Sequence, residues 1–127
     1  MDIEKKVESF LKEVEKNHAK SGKNQHNLTI IGASKGQGPS SIRSAYNAGI
    51  RDFGENFLQE AESKIEVINF SPCWHFIGSI QSKKAKKISL LFNWVHTVDR
   101  LKVAKLLNDH RPRSLGKLNI CVQINPD

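Results

Sequence analysis

Residues 28–54 read LTIIGASKGQGPSSIRSAYNAGIRDFG, and this stretch indicates how the chain folds. The apolar run at 28–33 is rich in β-branched residues and predicts a buried strand. Glycines and a proline end the run, and Ser40 or Ser41 is expected to cap the helix that follows. Gly49 stands where the glycine after a helix belongs. The stretch therefore predicts one strand–helix repeat that leads into a second strand.

The same alternation continues along the sequence. Short apolar runs predict four further strands, at 51–54, 73–77, 94–97 and 118–124. Helical spacing predicts helices between the later strands, the first at about 56–68, the second rich in lysine and the third capped by Asp99. A leading helix at 2–20 carries an apolar stripe made of Ile3, Val7, Phe10, Leu11 and Val14.

Strands separated by crossover helices predict an α/β fold with a parallel sheet. The predicted strands are nearly all apolar, which is typical of parallel strands that are covered on both faces. Two architectures remain open at this point: an open doubly wound sheet, or a section of a (β/α)8 barrel. We expect a single domain over 1–127, with the leading helix at 1–20 and the β/α repeats over 28–127.

Length and composition narrow the class of protein. The 127 residues fit one domain, and 38% hydrophobic with 26% charged residues suit a folded core rather than a disordered chain. No run approaches the roughly 20 apolar residues of a membrane span, and the first residues lack the apolar region of a signal peptide. Cys73 and Cys121 both lie in apolar runs, which favours reduced core cysteines and a cytoplasmic protein.

Positive charge is concentrated in one part of the chain. Between Gly78 and Lys117 there are ten basic residues against Asp99 and Asp109, whereas the whole chain carries +7. Such a block can attract nucleic acid or a phosphorylated ligand. The alternative is that it forms the solvated faces of two helices, and the sequence contains no recognised nucleic-acid motif.

Lys35 is the first candidate for chemistry, because it follows an apolar strand and the active groups of parallel sheets lie at the carboxyl ends of strands. A lysine held against apolar walls loses part of the hydration that favours its charge. Its amine can then attack a carbonyl to form a Schiff base. The alternative is an ordinary loop lysine.

Two further candidates have structural alternatives. Asn56 follows the second strand, and it could be no more than the N-cap of the next helix. His75 lies in the third strand between Trp74 and Phe76, and it could be a core histidine. By alternation, Trp74 and Phe76 share one sheet face and His75 lies on the other. Neither a phosphate-binding glycine motif nor a metal-ligand spacing of histidines and cysteines is present.

Four segments resemble one family in order and spacing. They are IGASK at 31–35, AGIRDFGENFLQEAESKIE at 48–66, WHFIGSIQSKKAKKI at 74–88 and HTVDRLKVAKLLN at 96–108. The family is that of the pyridoxal phosphate homeostasis proteins, also called the proline synthase co-transcribed family. The resemblance covers nearly the whole chain.

The resemblance implies a fold, a cofactor and a role. The fold would be a TIM-type barrel like the N-terminal domain of alanine racemase, of which this chain would form the N-terminal portion of about five strands. Lys35 would carry pyridoxal 5′-phosphate (PLP) as an aldimine, with Asn56 and His75 near the cofactor. The family is regarded as non-catalytic and acts in intracellular PLP homeostasis. The alternative is a racemase- or decarboxylase-like enzyme that uses the same cofactor.

The sequence departs from the family pattern in three ways. GQGPS follows Lys35 where the family usually has a threonine and an earlier proline, and Lys83 stands where an asparagine is common. The third departure is length, because a (β/α)8 barrel has about 250 residues and binds phosphate after strands seven and eight. We therefore expect a fragment or an assembly in which another chain pairs with the strand at 118–124, and a cofactor that is held weakly.

Overall fold

The computed structural model describes residues 2–22 and 28–126. Its helices are α1 (Ile3–Ser21), α2 (Pro39–Asn47), α3 (Leu58–Val67), α4 (Ala85–Leu91) and α5 (Leu101–His110). Its strands are β1 (Ile31–Ala33), β2 (Asp52–Glu55), β3 (Cys73–Phe76), β4 (Trp94–Val98) and β5 (Asn119–Val122). Short 3-10 turns cover Ser82–Lys84 and Arg113–Leu115. The predicted alternation of helices and strands is therefore confirmed.

All five strands are parallel and lie side by side in the order β1-β2-β3-β4-β5. A doubly wound sheet reverses its strand order at one point, and this sheet does not. Each strand lies beside the next one along the chain, so successive right-handed crossovers carry α2 to α5 over the same face. The five described strands therefore lack the reversal of strand order that is typical of an open doubly wound sheet.

The helix-covered face of the sheet forms the core. Phe53, Trp74, Phe76 and Val95 project into it from β2, β3 and β4. They pack with apolar side chains that the helices supply, among them Ile42, Ala61, Ile88, Val103 and Leu107. Burial of each large apolar side chain contributes about 1.5–3 kcal/mol. The predicted division of β3 is confirmed, because Trp74 and Phe76 are in this core and His75 is on the other face.

Helix α1 closes one side of this layer and begins and ends at well-defined caps. Asp2 accepts a hydrogen bond from Lys5 N at 2.8 Å, and Gly22 ends the helix with a φ of 72°. Leu11 packs so closely on Gly49 that a Cβ there would lie 2.9 Å from Leu11 Cδ1. The predicted apolar stripe is only partly buried, since Phe10 stays exposed.

Two predicted helix caps are wrong, and so is the alternative that Asn56 caps α3. Helix α2 is capped by Gly38 rather than by a serine, because Pro39 supplies the fixed φ that suits the first helical position. Phe57 has an extended backbone and directly precedes α3, so Phe57 rather than Asn56 occupies the N-cap position. Arg100 is likewise extended and caps α5 in place of Asp99.

Most of the basic residues between Gly78 and Lys117 lie on the exposed surface of two helices, whereas Arg111 makes internal hydrogen bonds. The lysines of α4 and α5 and of the turn before α4 are exposed: Lys83, Lys84, Lys86, Lys87, Lys102 and Lys105. Arg111 instead donates from Nη1 to the carbonyl oxygens of Ser89 and Phe92, at 2.8 and 2.7 Å. It thereby ties the end of α5 to α4.

The edge strand β5 differs from the other strands in its exposure. Each of its residues is exposed, and Ile120, Val122 and Ile124 present apolar side chains to solvent.

No helix within the described ranges is long and apolar enough to cross a membrane.

Candidate functional site

Lys35 occupies a tight turn directly after β1. Gln37 N donates to Ser34 O at 3.0 Å, which closes a turn with Lys35 and Gly36 at its centre. Gly36 has a φ of 74°, the left-handed conformation that the third position of a type II turn requires. Lys35 is exposed, and its Nζ makes no hydrogen bond or ion pair with the residues that the structure describes. The turn therefore presents this amine at the carboxyl edge of the sheet.

A buried ion pair lies beneath the turn, on the helix-covered face. Glu55 ends β2 with 0% of its surface exposed, and Lys64 of α3 is 5% exposed. Lys64 Nζ lies 3.0 and 2.9 Å from the two carboxylate oxygens of Glu55. It also contacts Glu60 Oε1 at 2.7 Å. Because buried charges are costly unless they are paired, this cluster fixes β2 against α3.

The same cluster holds the turn on both sides of Lys35. Lys64 Nζ donates to Ser34 O at 2.6 Å, and Ser34 Oγ donates to the Glu55 carboxylate. Gly36 N donates to Glu60 Oε1 at 2.5 Å. The hydrogen bonds from Lys64 and from Gly36 lower the pKa of Glu60 below its ordinary value of 4.5. The backbone that flanks Lys35 is therefore anchored to two other elements.

Asn56 follows β2 at the same edge, where two chain segments approach very closely. A Cβ on Gly78 would lie 1.9 Å from Asn56 O, so only glycine fits at that position. Thr97 Oγ1 donates to Gly78 O at 2.5 Å and fixes the segment from the other side. Asn56 Oδ1 is buried and has no partner among the described residues. A buried amide oxygen without a donor is a candidate contact for a ligand.

A cleft of about 860 Å³ opens beside Asn56. It lies between the start of α3 and the segment after β3, and its lining includes Gln59, Gly78, Gln81 and Lys84. Lys35 and His75 do not line it. The structure thus brings Lys35 and Asn56 to the ends of neighbouring strands, with Asn56 alone facing the cleft.

His75 lies on the opposite sheet face from the buried ion pair, within a cluster of polar side chains. It is aligned with Gly54 of β2 and Trp94 of β4, and its ring stacks on Trp94 with centroids 5.8 Å apart. His75 Nε2 lies 2.8 Å from Asp52 Oδ1, and His75 Nδ1 lies 2.9 Å from His96 Nε2. Both ring nitrogens of His75 are therefore occupied by protein groups.

Cys73 completes this second cluster, with its Sγ 3.6 Å from His75 Nε2. Burial, followed by the hydrogen bond and the charge of Asp52, raises the pKa of the Cys73 thiol to about 11. Burial and the neighbouring His75 lower the pKa of His96. In the absence of a ligand the cluster therefore contains a protonated thiol and favours a neutral His96.

The sequence reasoning missed the ion pair of Glu55 and Lys64. One signal was available, because Lys64 lies three residues after Ala61 and so belongs to the inward stripe of the predicted helix. A lysine on such a stripe needs a buried anion, and Glu55 at the end of the preceding strand was within reach. The cluster of Asp52 and Cys73 gave no comparable signal, because their proximity depends on strand register.

Comparison with known proteins identifies relatives over most of the chain, although no protein-family model matches it. A pyridoxal phosphate homeostasis protein of Pseudomonas aeruginosa is 45% identical over 106 residues, which cover 83% of this chain and 46% of that protein. One from Vibrio alginolyticus is 37% identical over 128 residues, covering 97% of this chain and 55% of that protein. The chain is a homologue of the pyridoxal phosphate homeostasis proteins. It spans about half the length of these curated relatives.

A solved structure is similar to this chain in fold as well as in sequence. PipY of Synechococcus elongatus, whose structure was solved with PLP bound, superimposes with a TM-score of 0.72 at 33% identity. The match covers 95% of this chain and 56% of PipY. The resemblance to this family that the motifs predicted is therefore confirmed, and so is the α/β fold with parallel strands.

Proposed function

We propose that this chain binds PLP at the carboxyl edge of its sheet and serves intracellular PLP homeostasis in the cytoplasm. In this proposal Lys35 Nζ condenses with the aldehyde of PLP, forming a Schiff base and releasing water. PLP when bound supplies a reactive aldehyde and an electron-withdrawing ring. The observation that carries the proposal is the anchored Lys35, whose amine has no partner among the described residues, in a homologue of proteins named for PLP homeostasis.

The residues at this edge fit such a ligand. Lys35 offers an amine that no described group engages, on a turn whose backbone is already fixed. Asn56 offers a buried amide oxygen that no group in the described part of the chain engages. It lies two residues beyond Gly54, which pairs with Ala33 of β1. We propose that Asn56 orients the cofactor through this amide.

We propose that His75 lies below Lys35 and Asn56 and supports the site without contacting the cofactor through a hydrogen bond. It is aligned with Gly54 and so lies two residues before the level of Asn56 along the strands. Its ring nitrogens contact Asp52 and His96, so we expect it to shape the floor of the site through packing and not through a direct hydrogen bond.

We propose that the sheet is the N-terminal portion of a (β/α)8 barrel, forming one partial domain over 1–127 with 1–20 as its leading helix. The sequential strand order and the helices on one face support this. The exposed apolar side chains of β5 support a further strand beside it, supplied by self-association or strand exchange. Sedimentation across a range of protein concentrations tests this, because a monomer at every concentration would exclude pairing between copies.

We further propose that the chain does not turn over a substrate. Tests for amino-acid racemisation and decarboxylation with added PLP distinguish this proposal from the racemase-like alternative. Product above that formed by free PLP, and lost in Lys35→Ala, would favour the enzyme.

The direct test of the site is a titration with PLP followed by absorbance. We expect a Schiff-base band in the wild type that is absent in Lys35→Ala and retained in Lys105→Ala, which removes an exposed lysine of α5. Borohydride reduction of the complex should then fix one cofactor per chain, and peptide mass mapping should place it on Lys35. Equal bands in the wild type and in Lys35→Ala would refute the assignment.

A further inference from the structure

Three side chains with metal-binding atoms converge on the sheet face opposite the helices. Asp52, Cys73 and His75 each offer one donor atom, and these atoms all lie within 4.8 Å of one another. They come from two adjacent strands, since Asp52 is aligned directly with Cys73 in the sheet. The cluster does not include Lys35. It shares His75 with the proposed cofactor site, where His75 contributes packing and no hydrogen bond to the cofactor.

One of the distances between these atoms fits a tetrahedral metal site closely, and a second distance fits it approximately. Zinc binds sulfur at about 2.3 Å and histidine nitrogen at about 2.0–2.1 Å, so a tetrahedral angle separates the two donors by about 3.6 Å. Cys73 Sγ and His75 Nε2 are 3.6 Å apart. The distance of 2.8 Å between Asp52 Oδ1 and His75 Nε2 would have to increase by about 0.6 Å. The Asp52 side chain is 21% exposed and has room for this movement.

Neighbouring side chains orient His75 in the way that metal-ligating histidines are generally oriented. A ligating histidine donates its other ring N–H to a neighbouring acceptor, which fixes the tautomer and the ring direction. His75 Nδ1 lies 2.9 Å from His96 Nε2, and the His75 ring stacks on Trp94. With Nδ1 protonated toward His96, Nε2 presents a lone pair toward Asp52 and Cys73.

The donor set selects among cations. One sulfur, one imidazole nitrogen and one carboxylate oxygen suit Zn²⁺ and disfavour Mg²⁺ and Ca²⁺, which prefer oxygen donors alone. We propose that Asp52, Cys73 and His75 form a binding site for Zn²⁺, with water as the fourth ligand. On binding, the Cys73 thiol releases its proton to the buffer. The metal takes the place of the proton between His75 Nε2 and Asp52, and both histidines change tautomer, so that His75 Nδ1 carries the ring proton and donates it to His96 Nε2.

Titration of the full 127-residue chain with Co²⁺, a spectroscopic substitute for Zn²⁺, tests the proposal. We expect one equivalent to produce the strong visible bands of tetrahedral cobalt and a thiolate-to-cobalt charge-transfer band. Added Zn²⁺ should abolish both. Cys73→Ser should lose the charge-transfer band, while Cys121→Ser should keep it, because these are the two cysteines of the chain. Asp52→Asn should weaken binding by about tenfold or more.

The outcomes are decisive in either direction. The proposal fails if no charge-transfer band forms, if the band survives Cys73→Ser, or if Cys121→Ser removes it. Circular dichroism of each variant establishes that it is folded, and Asp52→Asn provides a second test if Cys73→Ser does not fold. Lys35→Ala should bind Co²⁺ like the wild type, so failure of the PLP proposal would leave this result unchanged.

Discussion

Two polar clusters lie on opposite faces of the sheet, and they differ in whether they contain a cation. The cluster of Glu55, Glu60 and Lys64 contains its own cation, whose Nζ lies within 3.0 Å of both carboxylates. The cluster of Asp52, Cys73 and His75 brings comparable donors together without a lysine or arginine among its described contacts. The first is a closed structural unit, and the second leaves its centre available to an added cation.

The comparison shows that the burial of a polar cluster does not by itself indicate what the cluster does. A buried carboxylate with a fixed ammonium group contributes to positioning, here of the turn that carries Lys35. The donors of the other cluster are easier to rearrange, since Asp52 and Cys73 are only partly buried and His75 has a second partner in His96. The following variants test whether the two clusters differ as much as their contacts indicate.

The largest expected effect comes from removing the internal cation. Lys64→Met leaves Glu55 buried and unpaired, so we expect a loss of about 3–5 kcal/mol in the free energy of unfolding, measured by urea denaturation. Adding Glu55→Gln to this variant removes the isolated charge and should restore part of the loss. A loss below about 1 kcal/mol would show that water reaches Glu55 and that the cluster is not closed.

A smaller effect is expected on the other face. Asp52→Asn removes a charged partner from His75, but His75 keeps its contact with His96. We therefore expect a loss of about 1–2 kcal/mol in the same denaturation measurement. A cost as large as that of Lys64→Met would mean that the second cluster is equally closed, which would contradict the comparison.

The pH dependence of stability should report on the first cluster through Glu60. Its pKa is lowered in the folded chain, chiefly by the hydrogen bond from Lys64 and then by that from Gly36. The stability that Glu60 contributes is complete above its ordinary pKa of 4.5 and is lost as the pH falls through the lower folded value. The difference in unfolding free energy between wild type and Glu60→Gln should therefore shrink below pH 4.5. A difference that stays constant on acidification would show that the hydrogen bonds to Glu60 are not maintained in solution.

The smallest effect is expected from a lysine that resembles Lys64 only in having a carboxylate partner. Lys87 Nζ lies 2.7 Å from Glu62 Oε2, but both side chains are exposed. Lys87→Met should change the unfolding free energy by less than about 1 kcal/mol. It serves as the matched control for Lys64→Met, and similar losses in the two variants would mean that burial does not set the cost.

Much of the architecture followed from local patterns. Apolar runs predicted the five strands, and alternation placed His75 opposite Trp74 and Phe76. These features depend on residues that are close in sequence. The motifs also predicted the homology to pyridoxal phosphate homeostasis proteins, which the relatives confirm.

What the sequence reasoning missed depends on contacts between distant segments. Strand patterns alone do not give the order of the strands in space, so they could not distinguish an open doubly wound sheet from a section of a (β/α)8 barrel. The proximity of Asp52 to Cys73 requires the register between β2 and β3. The two predicted helix caps and the alternative cap at Asn56 failed for a different reason, because Pro39 and extended residues before α3 and α5 prevailed over side-chain preference. The roles of Lys35, Asn56 and His75 toward PLP stay predictions.

The anchored turn around Lys35 has a thermodynamic consequence for any ligand that binds there. A mobile loop would have to lose backbone entropy on binding, at about 1–2 kcal/mol for each residue that becomes fixed. Here Ser34 and Gly36 are already held by Lys64 and Glu60. Only the Lys35 side chain remains to be ordered, at about 1.5–2 kcal/mol. Most of the backbone entropy that binding would otherwise cost has therefore already been lost on folding. In a chain that lacks Lys64, the turn would have to be ordered when the ligand binds.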